Sequence, residues 1–109
     1  MEAKHVISAL AALAQEHRLA LFRLLVQTGP DGLPAGRIAD ALGVPNSSLS
    51  HHLALLHESG LVAQRREGRS LIYSADYAAM ERLLGFLTEN CCAGADCSVP
   101  VTKQKEIVR

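Results

Sequence analysis

Three cysteines stand close together near the end of the 109-residue sequence, and they are its only cysteines. They are Cys91, Cys92 and Cys97, and Gly94 allows the chain to bend between them. Three converging thiolates suit a soft, thiophilic ion. Trivalent arsenic and antimony form pyramidal three-sulfur complexes and need no fourth ligand. We therefore expect As(III), or Sb(III), to bind these three residues as an effector.

Other thiol chemistry remains open at the same residues. Zinc prefers four ligands, and no histidine follows His57, so a local fourth ligand could come only from Asp96, the chain terminus or water. Cadmium or lead could accept three thiolates. Oxidation is a further alternative, in which Cys97 forms a disulfide with Cys91 or Cys92.

The composition limits the class of protein. No run of 18 apolar residues is present, so we expect no membrane span, and the mixed charge of the start indicates no signal peptide. Clustered thiols in odd number then favour a reducing, cytoplasmic location. The 11 basic and 11 acidic residues give no net charge, so any positive charge that attracts DNA must be concentrated on one part of the surface. With no glycine-rich phosphate loop, and thiols after a helix C-terminus, we expect no enzyme.

Apolar periodicity predicts five helices and one hairpin. The predicted helices are Ala3–Ala14, Glu16–Gln27, Pro34–Leu42, Asn46–Ser59 and Asp76–Glu89, and the strands are Leu61–Arg66 and Arg69–Ser74. Glu67-Gly68 would join the strands, with glycine in the second position of a two-residue loop. This order predicts a mainly α fold with a β-hairpin wing, a winged helix-turn-helix. Residues 1–90 would bind DNA and dimerise, and residues 91–109 would form a thiol-rich effector segment and tail.

The predicted fourth helix has the surface of a DNA-reading helix. Its leucines fall on one side of the helical wheel, and small polar residues occupy the opposite side of the first two turns, which would enter the major groove. The candidate DNA contacts are Asn46, Ser47, Ser48, Ser50 and His51. The alternative is that residues 46–48 only cap the helix. His52 lies beside the apolar face, which favours a packed, hydrogen-bonded core histidine over a metal ligand.

The predicted hairpin supplies positive charge. Arg65, Arg66 and Arg69 surround its turn and could contact phosphates or the minor groove. The alternative is that they only protect an exposed sheet edge from aggregation. A dimer that reads two half-sites would double these contacts.

Several motifs together resemble the ArsR/SmtB family of metalloregulators. They are Glu16–Leu25 (EHRLALFRLL), Ser50–Leu56 (SHHLALL), Gly60–Val62 (GLV), Arg66–Arg69 (REGR) and Tyr73. The resemblance implies a homodimeric repressor on double-stranded operator DNA, with the first and last helices forming the interface. The implied interface residues are Val6, Leu10, Leu13, Met80, Leu83, Leu84 and Leu87.

Effector sites vary within the family. A familiar cysteine pair on the helix before the reading helix is absent here, and Asp76 on the last helix has no later histidine partner. The C-terminal Cys-Cys plus Cys arrangement resembles a subset of arsenite-responsive members. That resemblance implies that ion binding releases the repressor from its operator.

Overall fold

The computed structural model describes residues 1–94, so Cys97 lies outside the described residues. This part of the chain forms five α-helices, three β-strands and one 3-10 turn. The elements are α1 (Ala3–Leu13), α2 (Glu16–Thr28), β1 (Leu33–Pro34), α3 (Ala35–Leu42), α4 (Asn46–Glu58), β2 (Val62–Glu67), β3 (Ser70–Ala75), α5 (Tyr77–Leu87) and the 3-10 turn (Cys91–Gly94). The predicted winged helix-turn-helix is confirmed. No described helix is long and apolar enough to cross a membrane.

Side-chain caps begin two of the helices. The Gln15 side chain accepts a hydrogen bond from the Arg18 backbone N–H at 3.0 Å, which starts α2. The Asp76 carboxylate accepts one from the Ala79 N–H at 3.0 Å and starts α5. Such caps satisfy backbone donors that the first helical turn leaves unpaired. The prediction that Asp76 is an N-cap is therefore confirmed.

The wing contains a strand that the sequence did not predict. The sheet is antiparallel in the order β1-β3-β2, and Leu33 and Pro34 of β1 pair with Tyr73 and Ile72 of β3. The expectation that Pro34 begins a helix was one residue early, because Pro34 is the extended N-cap of α3. A proline is tolerated in an edge strand, since it donates no ladder hydrogen bond.

The hairpin turn also differs from the prediction. Glu67 pairs with Ser70, so the two-residue loop is Gly68-Arg69 and not Glu67-Gly68. Glycine therefore occupies the first loop position, where its φ of 61° fits a type II′ turn. Short periodic patterns leave such one-residue shifts open, because either loop joins two plausible strands.

The core holds α4 against the other helices. Its largest fully buried side chains come from three helices and the α4–β2 connection, and they are Leu21, Leu25, Ile38, Leu49, Leu56 and Leu61. Leu49, Leu53 and Leu56 of α4 are each at most 2% exposed. The predicted inner face of α4 is confirmed, so its opposite face must point outward.

Candidate nucleic-acid interface

The outer face of α4 is polar and open. Each of the five polar residues predicted to contact DNA is exposed, namely Asn46, Ser47, Ser48, Ser50 and His51. Pro45 is the N-cap, and no side-chain hydrogen bond from the described part of the chain caps the helix start. The alternative reading of residues 46–48 as a capping cluster is therefore wrong. The first-turn N–H groups can bind phosphate, and the exposed hydroxyls beside them can bind phosphate or base edges.

His52 joins this helix to the rest of the core. It is 8% exposed, and the Arg18 guanidinium lies 3.4 Å from its Nδ1 while donating through Nε to the Ala12 carbonyl at 2.6 Å. Arginine can only donate, so Nδ1 accepts and the proton of the neutral ring is on Nε2. The prediction of a packed, hydrogen-bonded histidine is confirmed.

The same surroundings lower the pKa of His52 below its ordinary value. Desolvation by burial is the largest cause, and the positive charge of Arg18 adds to it, followed by His17 and His51. Both neighbouring rings are close, with centroids 5.6 Å and 5.8 Å from that of His52. Sequence reasoning did not single out Arg18, because its partner is 34 residues away and no local pattern marks the contact.

The three wing arginines have different surroundings. Arg66 and Arg69 are exposed, and within residues 1–94 neither side chain makes a hydrogen bond or an ion pair. Arg65 instead donates through Nε to the Glu67 carboxylate at 3.0 Å and through Nη2 to the Asp31 carbonyl at 2.9 Å. Of the three guanidinium groups, Arg65 alone is thus engaged by other groups of the described chain.

A groove separates the start of α3 from the wing. It has a volume of about 380 Å³, and its lining includes Gly36, Arg66, Arg69, Ser70 and Tyr73. Tyr73 also lines a second groove of about 250 Å³, which lies between the wing and α4 and includes Ser50. The groove beside α3 is therefore lined by cationic and hydroxyl groups, which suit a sugar-phosphate backbone, whereas the groove beside α4 is lined by polar groups that include Glu58.

The residues implied for a dimer interface divide between core and surface. Val6 and Leu83 are 4% and 6% exposed and pack in the core of the protomer, while Leu13 and Met80 are half-buried. Leu10, Leu84 and Leu87 are exposed. Ile7, absent from the predicted set, is the most exposed large apolar side chain of the described residues, at 66%. The open apolar surface of α1 and α5 thus combines three of the seven predicted residues with Ile7.

Two of the three cysteines lie in the described part of the chain. Cys91 and Cys92 are exposed, and their Sγ atoms are 3.6 Å apart. The two adjacent sulfurs are therefore close enough to share one ion once both are thiolates. Cys92 takes part in a disulfide bond and must be reduced before it can bind as a thiolate. Within residues 1–94, no three potential ligands converge on a metal site.

The fold and this surface define a winged helix-turn-helix protein, and comparison with known proteins gives its family. A family model described as a helix-turn-helix domain matches residues 13–65. The transcriptional regulator NmtR of Mycobacterium tuberculosis is 43% identical over 72 residues, which are 66% of this chain and 58% of NmtR. The transcriptional activator HlyU of Vibrio cholerae is 31% identical over 83 residues, 76% of this chain and 74% of HlyU. A Halobacterium salinarum protein with the provisional name arsenical resistance operon repressor ArsR is 36% identical over 63 residues, 58% of this chain and 48% of that protein.

Solved structures agree. An ArsR-like transcriptional regulator from Rhodococcus sp. RHA1 superimposes with a TM-score of 0.69 at 28% identity, covering 77% of this chain and 76% of that one. The homodimeric winged helix-turn-helix DNA-binding domain of Mb0332 from Mycobacterium bovis superimposes with a TM-score of 0.63 at 29% sequence identity, covering 84% of this chain and 85% of that one. The chain belongs to the ArsR/SmtB family of helix-turn-helix transcriptional regulators. It spans less than two thirds of the length of NmtR.

Proposed function

We propose that this chain is a homodimeric repressor that binds double-stranded operator DNA and releases it when As(III), or Sb(III), binds Cys91, Cys92 and Cys97. The observation that carries the DNA-binding part is the exposed polar face of α4, presented by a helix whose opposite face is fully buried. A recognition helix needs both properties, because it must offer hydrogen-bonding groups at a fixed position.

The wing and its grooves support the same proposal. Arg66 and Arg69 place positive charge along the groove between the start of α3 and the wing, where a phosphate backbone would pass if α4 entered the major groove. The chain has no net charge, so this local charge must provide the attraction. A dimer would present two such surfaces, about 34–36 Å apart on successive turns of the DNA.

The exposed apolar surface supports dimerisation through α1 and α5. Ile7, Leu10, Leu84 and Leu87 are between 42% and 66% exposed, and the two helices contact each other. A two-fold interface places the same patch of each protomer against its copy, which would bury these side chains. The homodimeric state of the Mb0332 domain favours this assembly.

The thiols support the effector part of the proposal. Cys91 and Cys92 hold their sulfurs 3.6 Å apart, and Cys97 would supply the third thiolate. The relative with the provisional arsenical resistance name is consistent with this ion. These cysteines begin four residues after α5 ends at Leu87, so an ion bound there would act at the end of the proposed interface. A typical allosteric coupling weakens binding about 5–150-fold. Residues 1–90 and 91–109 would then be the DNA-binding and effector parts.

Oxidation of the same cysteines is the second candidate signal. The disulfide bond at Cys92 favours it, because a chain that releases DNA on oxidation needs cysteines that form a disulfide. Such a regulator would respond to peroxide without any ion.

A gel-shift titration on the DNA upstream of its own gene tests both parts. The reduced wild type should bind, and arsenite should weaken binding about 5–150-fold. Cys97→Ser should bind DNA equally well and lose the arsenite response, while Ser98→Ala, a change at the next residue, should keep it. Release of Cys97→Ser at the wild-type arsenite concentration would contradict the three-thiol site. Parallel titrations with antimonite, cadmium, lead, zinc and peroxide identify the effector.

A further inference from the structure

We infer that Arg65 positions the wing and does not bind phosphate, an inference that rests on the proposed DNA-binding function. Its guanidinium joins two segments that are far apart in the sequence, since Nη2 donates to the Asp31 carbonyl at 2.9 Å and Nε to Glu67 at 3.0 Å. The sequence analysis grouped Arg65 with Arg66 and Arg69 as a phosphate contact. The structure separates it from them.

The local geometry explains this separation. Side chains alternate between the faces of a strand, so Arg65 shares a face of β2 with Glu67, while Arg66 points to the other face. The Glu67 carboxylate lies 2.9 Å from the guanidinium of Arg65 and offsets its charge. A phosphate at Arg65 would have to displace this carboxylate and the Asp31 carbonyl. Arg66 and Arg69 would need no such exchange.

The loop that receives Arg65 is itself held firmly. Its Gly32 N–H donates to the Gly29 carbonyl at 3.1 Å, and Gly32 approaches β3 so closely that an added Cβ would overlap the Tyr73 carbonyl oxygen. The next residues form β1 and pair with β3. The Asp31 carbonyl is therefore a fixed acceptor at the base of the wing.

Arg65 completes a connection across the sheet. Ile72 of β3 is the register partner of both Pro34 on β1 and Arg65 on β2. The Arg65 side chain returns from the outer strand β2 to the loop before β1, so it links the two edges of the sheet. The wing angle, and with it the placement of Arg66 and Arg69, is thereby tied to the segment between α2 and α3.

The test compares Arg65→Gln with Arg66→Gln, the neighbouring arginine on the opposite face. The probe is a DNA duplex that the wild-type protein selects from a randomised pool, titrated at several salt concentrations. Loss of a phosphate contact lowers the slope of log K against log salt by about 0.9 per contact. We expect this loss, per protomer, for Arg66→Gln. Arg65→Gln should weaken binding about 3–10-fold, as loss of one ordinary hydrogen bond would, with an unchanged slope.

A third variant and a measurement without DNA complete the test. Arg65→Lys keeps the charge but cannot form both bonds at once, so its affinity should stay close to that of Arg65→Gln. Amide hydrogen exchange of the free protein over residues 29–34 should be several-fold faster in both Arg65 variants and unchanged in Arg66→Gln.

The outcomes separate this inference from the proposed function. A lower salt slope for Arg65→Gln, full rescue by Arg65→Lys, or unchanged exchange over residues 29–34 would each overturn the positioning role. If the wild type selects no DNA, the proposed function fails, and the exchange measurement alone decides whether Arg65 holds the wing.

Discussion

Replacement of Gly32 by alanine should destabilise the fold more than the same change at Gly68. Both glycines have a positive φ, 70° at Gly32 and 61° at Gly68, so each alanine meets a backbone cost of about 1–3 kcal/mol. Alanine also lowers the conformational entropy of the unfolded chain, which stabilises the folded state of both variants by about 0.4–1 kcal/mol. Only at Gly32 does the new Cβ meet other atoms, because it overlaps the Tyr73 carbonyl oxygen and lies 3.0 Å from its carbon. At Gly68 no atom of residues 1–94 lies within 4 Å of an added Cβ.

The additional loss of unfolding free energy in Gly32→Ala, compared with Gly68→Ala, measures how closely the loop at Gly32 approaches β3. Forcing an extra carbon into packed backbone costs about 1–3 kcal/mol, so Gly32→Ala should lose about 1–3 kcal/mol more than Gly68→Ala. Urea unfolding followed by circular dichroism gives both values, at one protein concentration because a dimer's stability depends on it. Equal losses in the two variants would refute the close contact, and with it the fixed acceptor proposed for Arg65.

Two further perturbations address the histidine and the apolar surface. Because the pKa of His52 is lowered in the folded state, the unfolded chain takes up the proton first as the pH falls below about 6.5. The free energy of unfolding of the wild type should therefore decline from that pH downward, and this decline should be shallower in His52→Gln. The control is His57→Gln, which replaces an exposed histidine of the same helix. If His52→Gln declined as steeply as this control, the lowered pKa of His52 would be contradicted. Leu84→Glu should weaken dimerisation at least about 100-fold, since two leucines worth about 1.5 kcal/mol each leave the interface. Sedimentation should show monomers for this variant and dimers for Leu19→Glu, whose leucine is 47% exposed on α2; dimers in both would exclude the α1–α5 surface.

Much of the helical framework could be predicted because local patterns specify it. The apolar spacing of α4 identified Leu49, Leu53 and Leu56 as its inner face, and the burial of all three confirms this. The Asp76 cap needs only the backbone N–H three residues later, so its signal is also local. The ArsR/SmtB motifs span helix and wing together, which is why the family could be named before the structure was known.

The candidate site was predictable in its residue types but not in all its roles. The polar face of α4 follows from the position of its leucines, and the nearness of Cys91 and Cys92 follows from their adjacency in the chain. The different roles of Arg65 and Arg66 cannot be read from the local sequence, because Arg65 binds the Asp31 carbonyl, 34 residues away. An arginine's partner is chosen by the fold, whereas its charge is visible in the sequence.

The amino-acid sequence by itself determined where helices form, which face of α4 is apolar, and that the thiols are separated from the wing arginines by the last helix. Only the tertiary structure decided that Val6 and Leu83 pack inside while Ile7 and Leu84 stay open, that β1 joins the wing, and that the hairpin turns at Gly68-Arg69. Each of these depends on which surfaces meet across long stretches of chain. Periodicity reports that a helix or strand has an apolar side, but contacts between distant elements determine what that side touches.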